Sequence, residues 1–372
     1  MVTIKKTLPY EIILVILTIL TSLIYFEIFV ENPNNSTKIG VENATNLHDH
    51  SVYTTYLENI DNNSAITLAD NNIGIAAIYK TLSIILPNEL TKNISFLATI
   101  VNTTTLIYCY VTYRSICNRL NLGAFGRLSF FINTSLLYFT QLINKDLFTI
   151  LLILTTIQFG LTNRKWTLLL LIPLFALVRQ QLVIYIILYA AIQFSRQPRH
   201  TIIVCYIITS LLATAVAINI PFIEQETLGD GFSSLVSEIN HKYYIGYLLL
   251  NPIRIIQFIQ DALLVLNPIT ESNSIDFAKI LRTPPVLFIL CISKNLIPTK
   301  RHLSLWRSKS ARAITSSIIA FTLTWLMNPT INARYVMLIL PSITILAIYT
   351  KIQTSTSKNE HTLIHRGFSI PK

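Results

Sequence analysis

Charge is scarce in this chain. Asp, Glu, Lys and Arg make up 13% of its 372 residues, 52% are hydrophobic, and the mean hydropathy is +0.54. A soluble domain carries about 25% charged residues. So little polar surface cannot clothe a soluble core of this size, which leaves lipid to cover much of it. Acidic residues are the scarcer sign, 18 against 29 basic, for a net charge of +11. The basic residues lie between apolar runs, where positive cytoplasmic loops account for them better than a nucleic-acid partner does. The four cysteines (Cys109, Cys117, Cys205, Cys291) contain no CxxC pair, so neither a disulfide framework nor a zinc site is indicated. No P-loop, GxGxxG, HExxH or GxSxG is present, which leaves cytoplasmic nucleotide-driven chemistry and zinc proteolysis without support. No small-residue cleavage site follows the apolar run in Met1 to Val30, so that run is expected to stay as a first span.

What is present is a succession of apolar runs. Ile12–Val30 is long enough to cross a bilayer, and Lys5 and Lys6 place the N-terminus in the cytoplasm. Residues 31–92 form a long polar outer segment, inside which Ile73–Leu86 reads as a helix lying at the membrane surface. Further spans are predicted over Ile94–Tyr113, Leu128–Ile143, Leu147–Leu161, Trp166–Val178, Leu182–Phe194 and Thr201–Ile220. A second outer segment covers 221–283. Within it Ile245–Leu266 is apolar but interrupted by Pro252, Arg254 and Asp261, and reads as interfacial or re-entrant. Spans over Pro285–Leu296, Ala313–Met327 and Tyr335–Tyr349 complete an all-α polytopic membrane protein of about ten transmembrane helices. It forms one transmembrane domain over 1–350, followed by a polar cytoplasmic tail over 351–372. In this topology 19 Lys/Arg and 2 acidic residues lie inside, against 10 and 16 outside. Both termini face the cytoplasm, and an inner (cytoplasmic) membrane is the expected location.

The runs over Leu147–Leu161, Trp166–Val178 and Leu182–Phe194 are short against the usual ~20 residues. Short spans imply local thinning or shielding by neighbours beside a polar cavity. The first two fold back around Asn163-Arg164-Lys165, so the tips Asn144-Lys145-Asp146 and Arg179-Gln180-Gln181 emerge on the same, outer side.

Most carboxylates are sent outward with them. Asp49, flanked by His48 and His50, suits a general base or a divalent-cation ligand; Tyr53 follows at a spacing that shares a helical face with it. Asp70 reads as a cap for the surface helix. Lys145 and Asp146 either pair with each other or leave Lys145 to meet a phosphate. Arg179 has no acidic neighbour in sequence; it either snorkels to the interface or offers its planar fork to a pyrophosphate. Arg334-Tyr335 carries the same two readings. The second outer segment adds Glu224, Glu226, Asp230, Arg254 and His241-Lys242-Tyr243-Tyr244, of which His241 is the titratable candidate.

The first span, the outer loop with Asp49, Tyr53 and Tyr56, and the surface helix resemble the GT-C superfamily of polyprenyl-phosphate-sugar glycosyltransferases. Asn144-Lys145-Asp146 followed by Arg179-Gln180 resembles bacterial polysaccharide polymerases of the O-antigen polymerase (Wzy- and EpsG-like) type. Asn332-Ala333-Arg334-Tyr335 with Pro341 is similar to a last-span motif of both. The resemblance implies a polyprenyl-linked saccharide donor, a glycan acceptor and inverting attack by a hydroxyl outside the cytoplasm. It implies Asp49, His50 and His241 as acid–base candidates. Tyr53, Lys145, Asp146, Arg179, Gln180, Arg254, Arg334 and Tyr335 would bind substrate. No cofactor is specified beyond a divalent cation as a candidate. The paired acidic motif usual in GT-C enzymes is absent, since histidines flank Asp49. A transporter or flippase of lipid-linked sugars, and a non-catalytic membrane subunit, are the alternative readings; internal repeats expected of the former are not found.

Overall fold

Apolar runs punctuated by basic turns become helices. The computed structural model describes residues 2–61, 72–219, 232–270, 274–293, 308–328 and 333–365. Within these residues regular structure is helical apart from one pair of two-residue strands. Four helices are long and apolar enough to cross a membrane: Leu8–Glu31, Ile94–Arg119, Pro198–Ala217 and Arg334–Thr354. Shorter apolar helices occupy Ile73–Ile85, Gly123–Ile132, Asp146–Leu161, Lys165–Val178 and Gln181–Phe194.

In chain order, α1 (Val2–Tyr25) continues into a π-helical turn at Phe26–Glu31 and is followed by α2 (Asn34–Ile39), β1 (Val41–Glu42) and α3 (Leu47–Asp61). Next come α4 (Ile73–Ile85), α5 (Asn88–Thr91), α6 (Ile94–Arg119), α7 (Gly123–Leu128) and α8 (Ser135–Tyr138). Then α9 (Asp146–Leu161) packs at the centre, against α6, α17 (Lys309–Trp325) and α18 (Ala333–His365). Its Leu147, Ile150, Ile153 and Ile157 are buried, and so are Thr149 and Thr156 on another face, as befits a helix enclosed on most sides. Asp146 in its first turn complements the helix dipole. At its other end Asn163 takes a left-handed φ of 57°. Arg164 N–H donates to Phe159 O at 3.0 Å and Asn163 N–H to Gly160 O at 3.2 Å, the pairing of a Schellman stop. The expected turn is therefore a helix terminator. A Cβ on Gly160 would lie 1.8 Å from Tyr189 Oη, so glycine lets α12 (Gln181–Phe194) seat here.

Several expectations change. Leu128–Ile143 is not one spanning helix. It divides into the end of α7, a 3-10 turn at Ser129–Ile132, α8, and irregular chain up to Lys145. Non-helical backbone is tolerated at membrane depth only where protein surrounds it, and that holds here. Asn102 Nδ2 donates to Leu142 O at 2.7 Å, Asn144 Nδ2 to Phe139 O at 2.6 Å, and Ile143 N–H to His50 Nδ1 at 3.3 Å. Trp166–Val178 likewise splits into α10 (Lys165–Leu170) and α11 (Ile172–Val178), with Pro173 entering the first turn of the second. Helix α4 is not merely a surface helix: Gly74, Ile75, Ala76 and Tyr79 are buried where it packs on α3 and α11.

Towards the C-terminus, α13 (Pro198–Asn219) and α14 (Phe232–Tyr243) precede α15 (Gly246–Leu264), which runs through Pro252 and is not among the four membrane-length helices. A strand β2 (Ile275–Asp276) pairs in parallel with β1, Val41 opposite Ile275 and Glu42 opposite Asp276, too short to show alternation in sequence. It leads into α16 (Phe277–Ile292), within which the expected span from Pro285 begins; residues from 294 lie outside the described set. The tail expected from Lys351 starts as a continuation of α18.

Candidate functional site

Three elements converge on the N-terminal end of α9. The first turn of α3 brings Asp49, the end of α11 brings Arg179, and the first turn of α18 brings Arg334. Asp146 is fully buried between two guanidiniums: Arg179 Nη2 lies 2.5 Å from its Oδ1 and Arg334 Nε 2.5 Å from its Oδ2. Arg334 Nη1 also donates to Asp49 Oδ2, which accepts at 2.8 Å from Asn46 Nδ2. The result is an alternating row, Asp49–Arg334–Asp146–Arg179, drawn from residues up to 285 positions apart.

The row answers the question left by Arg179. The arginine that lacks an acidic neighbour in sequence takes Asp146 as its partner 33 residues earlier. It is 4% exposed, and its Nε has no hydrogen-bond partner. Its guanidinium carbon lies 5.6 Å from the centre of the Trp325 ring and 5.9 Å from that of Tyr335, within cation–π range. A snorkelling anchor would end in water or headgroups; this side chain ends in the protein.

Lys145 Nζ donates to Asn72 Oδ1 at 2.9 Å, at the start of α4. Gly74 lets α4 pack closely on α11, because a Cβ there would lie 1.8 Å from Leu177 O, two residues before Arg179. Burial, with help from the nearby Arg179 charge and against the pull of Asp146, pushes the Lys145 amine down to about 7. For Asp49 burial works to raise the pKa, but the Arg334 charge and hydrogen bond outweigh it and hold the carboxyl below its usual range. Asp49 is therefore an anion at neutral pH, and its side chain is 27% exposed. Tyr53 is buried beside the row, and its phenol is pushed up chiefly by that burial.

His50 has a different position. Its Nδ1 accepts from Ile143 N–H, and its Nε2 lies 3.3 Å from Ser95 Oγ. Burial lowers its pKa, so a neutral imidazole holds the irregular segment against α6. Two candidates are placed elsewhere. His241 is in the last turn of α14, a helix packed on α13 and α15. Arg254 is fully buried and donates to Leu326 O at 2.7 Å, to Asn328 O, and to Asn251 Oδ1 at 3.0 Å. It thus caps the C-terminal end of α17, a role that suits a cation. Trp325, in the last turn of that helix, is the ring over which Arg179 lies, so Arg254 caps the same helix end that carries the Arg179 contact. Gln180 is exposed at the N-cap of α12, and Tyr335 packs at 4.9 Å on Trp325. Asp70, Glu224, Glu226, Asp230 and Asn332 lie outside the described residues.

A cavity of about 550 Å³ adjoins the row, walled by residues on both sides of the β1–β2 pair. Phe29, Asn43, Asn46, Tyr138, Asp276 and Arg282 are among its lining. Arg282 was not a sequence candidate. Its guanidinium carbon lies 5.6 Å from the centre of the Tyr138 ring, its Nε is buried without a hydrogen-bond partner, and it feels the Arg334 charge. Asn46 and Asn72 were also missed. The only hint was asparagine three residues before Asp49, a spacing common to local caps.

A second charged group, one carboxylate between two guanidiniums, lies nearer the N-terminal end of α1. Glu11 Oε1 is 2.7 Å from Arg127 Nε, and its Oε2 is 2.6 Å from Arg114 Nε and 2.8 Å from Tyr110 Oη. It fastens α1 to α6 and α7. Among the described residues no group of three or more His, Cys, Asp or Glu is placed to hold a metal ion. No protein-family model matches the chain, and neither a curated protein nor a solved structure is found to match it.

Proposed function

We propose that the protein is a membrane glycosyltransferase or polysaccharide polymerase. It transfers sugar from a polyprenyl-(pyro)phosphate-linked donor to an acceptor hydroxyl on the extracytoplasmic side. The observation that carries this reading is the Asp49–Arg334–Asp146–Arg179 row with Lys145 beside it. It combines a partly exposed carboxylate with cations that are buried and held in place.

Each part has a role in that chemistry. Asp49 takes the proton of the acceptor hydroxyl, whose oxygen then bonds to the anomeric carbon. The bond from that carbon to the phosphate oxygen breaks, and its electron pair leaves with the phosphate. Lys145 and Arg179 meet the charge that develops there. Cations fixed in advance in a low-dielectric site stabilise such charge without reorganising. Asp146 is the positioning residue: it holds both arginines and is itself fully buried. The outer location follows from the charge pattern of the loops, which puts both tips opposite the basic turns.

Chain-length analysis of surface polysaccharide tests the reading. Arg179→Ala at normal protein level is expected to abolish or shorten the polymer; an unchanged polymer would reject the role of Arg179. A carrier for lipid-linked sugars is the second reading, favoured by the broken, protein-enclosed segment between α7 and α9, since carriers place discontinuous helices at their binding sites. Reconstituted protein that moves a fluorescent lipid-linked saccharide across vesicles without elongating it would select that reading.

A further inference from the structure

The charge of the site is unevenly divided. Along the row, Arg179, Arg334 and the protonated form of Lys145 face Asp49 and Asp146, three cations against two anions. Around the cavity, Arg282 faces Glu42 and Asp276, one cation against two anions. A phosphate is drawn to the first place and repelled from the second. The cavity suits a neutral ligand with many hydroxyls.

Its chemistry is that of polyol recognition. Carboxylates and amides supply directional acceptors and donors: Glu42, Asp276, Asn43 and Asn46. Phe29 and Tyr138 supply apolar ring surface for the C–H face of a pyranose. The volume, about 550 Å³, falls within the ~300–1,000 Å³ of small-molecule sites. The walls are fastened. Asp276 is 8% exposed, accepts from Asn43 Nδ2 at 3.0 Å, and accepts from Lys279 N–H at 3.0 Å as the N-cap of α16. The β1–β2 register fixes Glu42 opposite Asp276. A preformed polar wall loses little entropy on binding.

The partition between the two places is a single turn of chain. Asn46, Leu47 and His48 line the cavity, Asp49 follows them, and Asn46 bonds to the Asp49 carboxylate. We infer that the cavity between β1–β2, Tyr138 and α16 is a binding subsite for an uncharged sugar, which presents a hydroxyl towards Asp49. This deepens the transferase reading, on which the sugar's role as acceptor rests; the binding of a neutral sugar does not depend on it.

The test uses full-length protein in nanodiscs and saturation-transfer NMR. The probes are free, unphosphorylated hexoses, N-acetylhexosamines, 6-deoxyhexoses and their β-linked disaccharides. At least one is expected to give saturation transfer. Ser36→Trp, at the cavity wall, is expected to raise the Kd read from titration of that signal about tenfold, the equivalent of ~1.4 kcal/mol. Ala278→Phe, filling the cavity from α16, checks the same point if Ser36→Trp does not fold. Lys145→Ala, on the phosphate side, is expected to leave sugar binding intact. No transfer from any probe, or transfer untouched by both filling variants, overturns the subsite. Sugar binding that the filling variants abolish, in a protein that elongates no glycan, keeps the subsite and removes the transferase reading instead. Elongation that continues in both filling variants with an unchanged acceptor KM does the reverse.

Discussion

Asp146 is held between two arginines with no water-exposed surface, so removing its charge takes the carboxylate from Arg179 and leaves Arg334 with Asp49 alone. Breaking a buried pair by removing one partner costs about 3–5 kcal/mol. Asp146→Asn is expected to lower the thermal-unfolding midpoint in detergent and abolish transfer. Asp49→Asn, at a partly exposed position, is expected to abolish transfer with a much smaller change in midpoint. Equal midpoints for the two variants would remove Asp146 from its positioning role. Lys145 makes a pH prediction. Its amine titrates near 7 when folded, against ~10.4 in an unfolded chain. Between those values the unfolded chain binds the extra proton, so this group adds stability as pH rises through the window. Activity runs the other way, because a neutral amine attracts phosphate poorly. A fall in kcat/KM above about 7 is expected, since that ratio reports the free enzyme. Lys145→Arg is expected to remove this alkaline limb; an unchanged limb would assign it to another group.

The elements that matter most are those that approach closely. Gly74→Val would drive a side chain into Leu177 O and push α4 from α11, carrying Asn72 away from Lys145. Overpacking of this kind costs about 1–3 kcal/mol, read as a lower unfolding midpoint, and the donor KM is expected to rise with it. A wild-type midpoint and KM would mean that α4 does not set Lys145. This contact was invisible in sequence, where Gly74 begins an ordinary apolar run. The long helices were legible because periodicity is not needed when length and hydropathy suffice, as in Ile94–Arg119. The Asn163 turn was legible from its polar break. Leu128–Ile143 was misread because its apolar content is that of a span, while its backbone bonds go to Asn102, Asn144 and His50, which are distant or unremarked in sequence. For the site, residue types at the two tips pointed to Lys145, Asp146 and Arg179. Their pairing came from α9, α11 and α18 meeting, which no local pattern encodes.

For the whole molecule, the proposed orientation has a direct readout. In a cysteine-free background, Asn163→Cys is expected to react only with reagent admitted to the cytoplasmic side, and His48→Cys only with reagent outside. The reverse pattern would place the row in the cytoplasm and end the lipid-linked-donor reading as framed. The same experiment separates the two ends of α9, since Asn163 ends it and the ion-pair row begins it. The Glu11 cluster belongs to the other end of α1 and α6, so Glu11→Gln is expected to loosen α1 without altering the pH profile set by Lys145.

The irregular chain before α9 has a consequence for how the protein is made. A helix can enter the bilayer alone because its own ladder satisfies its backbone. Residues between α8 and α9 have no such ladder; they depend on His50, synthesised earlier, on Asn102 of α6, and on Asn144 within the segment itself. The backbone groups of this stretch therefore find their partners only once α3, α6 and α9 have come together. Arg179 and Arg334, the partners of Asp146, are made 33 and 188 residues later, so the charged row cannot close before α11 and α18 have arrived.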